Sequence, residues 1–133
     1  MRIMLDSNVL LSAIVFKSKK LADMIDKVSE EYTLVLCSYV IDEVYRVTRR
    51  KVPRLVGSID RFLSRLSFEF VYSPKTVVGE KLFEIRDEDD YPVLYSAITA
   101  DVDILITGDG DFSEVEITRP EIMTPAEFIE EYM

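Results

Sequence analysis

Short, continuously apolar runs alternate along the chain with longer segments of helical spacing. The first run, 2–5, ends at Asp6. The second, 33–37, is β-branched and aliphatic throughout. Phe68 to Val71 reads as a further strand, Asp103 to Thr107 as a buried one closed by Gly108, and Ile122-Met123 as a last short strand. Continuous apolar runs of this length belong to strands covered on both faces. Between them, 9–16 is mostly apolar after Ser7-Asn8 and predicts a helix. Leu21, Ile25 and Val28, with Met24 between, keep helical spacing through Glu30. Ser38 suits the N-cap of a third helix reaching about Arg50. Pro53 opens a fourth, with Leu55, Ile59, Phe62, Leu63 and Leu66 on one face. A further helix is expected over 74–83, an acidic loop over 87–90 and a helix over 92–100. Thr124-Pro125-Ala126-Glu127 is a capping box with proline at the first helical position, opening the last helix. Strands that alternate with helices in this way predict an α/β fold, a parallel sheet with helices on both faces. With no repeat, low-complexity tract or linker, the expectation is one domain over residues 1–133.

Composition narrows the chemistry. The chain has 133 residues, 48% of them apolar by type, enough for a core without staples. No stretch approaches the roughly 18 consecutive apolar residues of a membrane span. The start, Met1 to Asp6, is too short and too soon acidic for a signal peptide and reads as a first strand. Cys37 is the only cysteine, so a reducing cytoplasm is the expected location. The formal charge of −9 argues against nucleic-acid binding through overall basicity. It is compatible with an enzyme that carries its positive charge as metal. The absence of histidine excludes a Ser-His-Asp triad, a Cys-His pair and histidine-ligated zinc. What remains is carboxylate, lysine and hydroxyl chemistry, or oxygen-ligated Mg²⁺ or Mn²⁺.

In open α/β sheets ligands bind beyond the carboxyl ends of the strands. Asp6 closes the first strand, and Asp109 follows the strand Ile104-Leu105-Ile106-Thr107 by two residues. Glu43 lies about a turn into the helix after the second strand, with Tyr39, Val40, Val44 and Val47 around it. Asp90 begins the helix that leads to Asp109. Each acid alone has a plainer role: Asp6 can cap a helix, Asp90 or Asp89 can sit in a solvated acidic loop, and Asp109 and Asp111 can be turn residues around Gly110. A parallel sheet, however, brings Asp6, Glu43, Asp90 and Asp109 to one edge. Gathered carboxylates are costly unless a cation joins them.

These residues resemble a known family. Asp6-Ser7-Asn8-Val9-Leu10 after a first strand resembles the opening Asp-x-Asn of PIN domains. Ser38-Tyr39-Val40-Ile41-Asp42-Glu43-Val44 is similar to their second element, and Asp90-Tyr91-Pro92-Val93-Leu94 with Ile104 to Phe112 to the third and fourth. The resemblance runs over nearly the whole chain. It implies a three-layer α/β/α sandwich with a five-stranded parallel sheet, and Mg²⁺- or Mn²⁺-dependent cleavage of phosphodiesters, usually in RNA, with one or two ions. It implies Asp6, Glu43 and Asp90 as metal ligands, Asp109 as the fourth acid and Asp111 as a further candidate, with Asn8 and Thr107 supporting them by hydrogen bonding. Small single-domain members include VapC-like toxins restrained by an antitoxin protein, many of them homodimers.

Cations for an RNA backbone must be local. Arg46, Arg49 and Arg50, with Lys51 and Arg54 beyond, cluster late in the third helix and just after it, and Lys17, Lys19 and Lys20 form a second group. Cations at a helix C-terminus also suit its dipole. Two alternatives stand beside the nuclease: a non-catalytic interaction module on the same fold, and an acid-cluster phosphatase or receiver. The phosphatase would want aspartate where Asn8 stands, and the receiver a lysine near Gly108-Asp109.

Overall fold

The computed structural model describes residues 1–74 and 81–133. Strands β1 (Arg2–Leu5), β2 (Thr33–Cys37), β3 (Glu69–Val71), β4 (Ile104–Ile106) and β5 (Glu121–Met123) form one sheet in the order β3-β2-β1-β4-β5. Every pairing is parallel. The helices among the described residues are α1 (Ser7–Ile14), α2 (Lys19–Glu31), α3 (Ser38–Lys51), α4 (Val56–Arg65), α5 (Tyr91–Thr99) and α6 (Pro125–Tyr132). Together they make a three-layer α/β/α sandwich.

Continuous apolarity of the strands follows from this arrangement. Ile3, Met4, Leu5, Leu34, Val35, Leu36, Leu105 and Ile106 are all buried, because helices cover both faces of the central strands. Only the edge strand β3 is left largely exposed, with Glu69 and Phe70 open to solvent. None of the helices among the described residues is long and apolar enough to cross a membrane.

Local chemistry shifts several element boundaries. Helix α1 starts two residues earlier than the apolar run, because Asp6 caps it by accepting from the Ser7 backbone N–H at 2.7 Å. Ser38 is not the cap of α3 but its first residue; its hydroxyl accepts from the Ser73 backbone N–H at 2.8 Å instead. A long-range bond has taken the oxygen that a cap would have used. Pro53 opens a 3-10 turn, Pro53–Leu55, and α4 begins only after it. The helix expected over 74–83 falls mainly outside the described residues; Pro74 and 81–83 are not helical.

The chain order decides where the site lies. From β1 the chain steps outward through β2 and β3, then returns to place β4 on the other side of β1. The crossovers therefore diverge from β1 and β4, and the crevice between their carboxyl ends is the topological switch point. Leu5 pairs with Ile106, so Asp6 and Thr107 emerge there side by side.

Candidate functional site

Asp6 is 5% exposed, deep for a carboxylate. Its Oδ1 accepts from the Ser7 N–H, and its Oδ2 accepts from the Thr107 hydroxyl at 2.8 Å and, more distantly, from the Asn8 amide at 3.5 Å. Thr107 Oγ1 in turn accepts from the Asp109 N–H at 3.0 Å, and Asn8 Oδ1 from the Gly108 N–H at 3.2 Å. The first strand end and the fourth are thus laced together by Asn8 and Thr107. Asp109 Oδ1 accepts from the Asp111 N–H at 2.9 Å and starts a 3-10 turn, Gly110–Glu114. Phe112 in that turn is wholly buried and pins the loop to the core.

Asp90 comes to the same place from another direction. It lies at the end of a 3-10 turn, Glu88–Asp90, capped by Asp87, and directly precedes α5. Asp89 is exposed while Asp90 is half-buried, so Asp90 is the inward acid. Ligand oxygens of Asp90, Asp109 and Asp111 lie within 4.8 Å of one another. Tyr91, next along, turns away from the acids. Its ring stacks on Phe83 at 4.4 Å, and its hydroxyl accepts from the Leu82 N–H at 3.0 Å.

Glu43 stands outside this compact trio. Its carboxylate accepts from the Ser7 hydroxyl and pairs with Arg46 at 3.2 Å. Ser7 was not singled out by the sequence reading, although a hydroxyl between Asp6 and Asn8 was its only available signal. Arg86 was not singled out either. It reaches Asp111 at 3.4 Å from a loop position with no sequence mark. Of the other cations, Arg49 lies over the Tyr45 ring at 5.3 Å, and Arg50, Lys51 and Arg54 are exposed. Lys19 pairs with Asp23, and Lys17 and Lys20 are exposed beyond α1.

The two ends of the sheet treat their acids oppositely. At the amino end, Arg2 donates to Glu69 at 2.5 Å and its backbone N–H to Asp103 at 2.7 Å, while Arg119 bonds Asp101 and Asp103, each at 2.6 Å. The Arg2 hydrogen bond holds Glu69 below the usual carboxylate range, and the bonds from Arg2 and Arg119 hold Asp103 below it. At the carboxyl end, Asp6, Asp90 and Asp109 have no lysine or arginine within ion-pair distance among the described residues. Burial pushes Asp6 up, with Glu43 and Asp109 adding to the push and the Thr107 and Ser7 bonds opposing it. Burial, then Asp109, Asp6 and Asp87, push Asp90 up to about 8. Asp90 Oδ2 is buried with no hydrogen-bond partner among the described residues. An oxygen so placed, in an all-carboxylate donor set, fits a hard divalent cation.

A comparison with family sequence models finds a match to the PIN domain over residues 2–111. The chain belongs to the PIN-domain family. Members of this family are in general nucleases and typically bind divalent metals. By sequence, no curated protein matches the chain. Among solved structures, this PIN domain is similar to a chain of VapBC2 from Rickettsia felis, crystallised with a DNA fragment from their promoter. The TM-score is 0.68 at 17% identity, covering 92% of this chain and 97% of that one. It is also similar to a chain of VapBC-1 from nontypeable Haemophilus influenzae. There the TM-score is 0.64 at 15% identity, with 95% and 99% covered. At such identities the likeness is one of fold.

Proposed function

We propose that this PIN domain, as one unit over residues 1–133, is a metal-dependent endoribonuclease. The observation that carries the reading is the contrast between the two sheet ends: at one the acids are paired with arginines, and at the other Asp6, Asp90 and Asp109 gather with no lysine or arginine in ion-pair distance among the described residues, only the outer acids Glu43 and Asp111 meeting Arg46 and Arg86. Unpaired, half-buried carboxylates cost stability, and their retention at a switch point is what a ligand site requires.

Asp6, Asp90 and Asp109 would hold one or two Mg²⁺ or Mn²⁺ ions, with Asp111 at the margin. The bound ion supplies positive charge to a phosphoryl oxygen and acidity to a water. The residues of the chain do the rest. Thr107, Asn8 and the Ser7 N–H fix the rotamer of Asp6 so that its oxygens stay aimed at the crevice. Glu43, which accepts from the Ser7 hydroxyl beside Asp6, would complete the donor set. Arg46 beside it, with Arg49 and Arg50 along α3, would meet RNA phosphates, which the net charge of −9 would otherwise repel.

The fold shared with VapBC chains supports a further element of the reading, that the protein is a VapC-like toxin held by an antitoxin partner in the cytoplasm and assembled as a homodimer. Purified protein incubated with a defined single-stranded RNA and Mn²⁺ is expected to cut internally. A chelator or the change Asp6→Asn is expected to stop it. Equal cutting by the wild type and Asp6→Asn would defeat the assignment. Release of phosphate from a small phosphomonoester, with RNA left intact, would favour the phosphatase instead.

A further inference from the structure

Beside the acids lies a cleft of about 460 Å³ bordered by Tyr39, Asp42, Phe70, Tyr72 and Pro92. Its place in the fold follows from the sheet register. Cys37 pairs with Val71, so Tyr72 leaves β3 level with Ser38, at the edge where Asp6 and Thr107 also emerge. Pro92 is two residues from Asp90, and Tyr39 is one helical turn from Glu43. The Tyr39 phenol is pushed up by burial and then by the charges of Glu43, Asp89 and Asp90, with Arg46 opposing them.

The lining says what the cleft can hold. Among the described residues its lining is aromatic and small polar, with Asp42 the one charged side chain. Its walls are flat and aromatic. Phe70 and Tyr72 meet edge to face at 4.9 Å, and Tyr72 is 84% exposed, the most open large hydrophobic of the described residues. The backbone behind the walls is tied down. The Tyr39 N–H donates to Ser73 Oγ at 3.3 Å, Ser73 N–H to Ser38 Oγ at 2.8 Å, and Ser96 Oγ to Ser73 Oγ at 2.9 Å, tying β3's exit to α3 and α5. An aromatic-lined cleft beside the carboxylate centre matches the face of a nucleobase. Every base has such a face, and only unpaired ones present it.

We propose that this cleft is a nucleobase site, taking an unpaired base of a single-stranded RNA whose neighbouring phosphate lies at Asp90 and Asp109. The substrate class rests on the nuclease reading; the stacking does not depend on cleavage. A second copy of the chain is the less suitable occupant. Strand β3 has three residues, a short edge for pairing, and its Glu69 is already held by Arg2.

The test uses a single-stranded oligoribonucleotide carrying 2-aminopurine, bound in Ca²⁺ and cut in Mn²⁺, with the wild type, Tyr72→Ala and Tyr72→Phe. Stacking should quench the probe in the wild type and in Tyr72→Phe. Tyr72→Ala, at an exposed position that folding does not need, should weaken binding roughly 5–100-fold. A duplex of the same sequence should bind both proteins alike. Quenching without any cutting would overturn the nuclease reading and keep the cleft. Cutting and binding indifferent to Tyr72→Ala, or no binding at all, would overturn the cleft. So would a dimer in sedimentation that Tyr72→Ala dissolves while RNA binding stays unchanged.

Discussion

Asp90→Asn is expected to raise the melting temperature of the metal-free protein at pH 8 and at the same time to remove its Mn²⁺-dependent cutting of RNA. Asp90 is half-buried beside Asp109, and its carboxyl is pushed up to about 8 by burial and then by Asp109, Asp6 and Asp87. Between pH about 4, where an unfolded aspartate releases its proton, and about 8, the native state keeps a proton that the unfolded state has lost. Stability of the metal-free protein therefore falls as pH rises through that window, and above it the full penalty of the ionised group is present. Asparagine does not titrate, so the variant should show a flatter pH profile. Its gain should be largest at pH 8, roughly 3–6 °C for each kcal/mol recovered in a chain of this size. Glu69 and Asp103, held low by Arg2 and Arg119, act in the opposite sense and lose their contribution only as pH falls into the acid range. The metal-free optimum should thus lie at mildly acidic pH. Mn²⁺ should raise the wild-type melting temperature more at pH 8 than at pH 5.5, and do little for Asp90→Asn. Loss of activity should exceed the roughly 10–100-fold that attends loss of an outer partner of a metal ligand. A variant that melts lower than wild type at pH 8 without metal, or that cuts RNA normally, would count against the site.

The largest effect on stability should come from Phe112→Ala. Phe112 is fully buried, one residue after Asp111 and three after Asp109, and it is the apolar anchor of the turn that carries both. Removing its ring deletes core contacts and leaves a cavity, at a cost of about 3–5 kcal/mol. The same change frees the turn, so the two aspartates lose their fixed spacing to Asp90. Equilibrium denaturation should show the lost stability. A Mn²⁺ titration at a temperature where the variant is still folded should show weaker binding. Phe112→Leu, which refills much of the space, should recover most of both. A loss below about 1 kcal/mol would mean that the turn is held by its hydrogen bonds and not by its ring.

The pattern of the chain carries the architecture well because burial dictates it. A strand enclosed between helix layers must be apolar, and 3–5, 34–37 and 104–106 are legible for that reason. Strand-end acids are legible too, since a charge directly after such a run needs a reason to be there. What stays hidden is long-range. Ser38 has the sequence of a cap, but its hydroxyl serves Ser73, far along the chain. Ser7 and Arg86 show their bonds to Glu43 and Asp111 only once the chain has folded. The sequence brings Asp6, Glu43, Asp90 and Asp109 to one edge, whereas the acids whose oxygens lie within 4.8 Å of one another among the described residues are Asp90, Asp109 and Asp111. Spacing along a sequence gives the edge to which a residue comes, not how near its oxygens lie to the next.

Asp6 carries two mechanical loads on one carboxylate, the start of α1 through the Ser7 N–H and the end of β4 through the Thr107 hydroxyl. Anything that draws on its oxygens therefore tightens two elements that are distant in sequence. In hydrogen-exchange measurements, Mn²⁺ should slow the amides of Ser7 and Asp109 together. The arginine-clamped far end, around Arg2 and Asp103, should keep its rate.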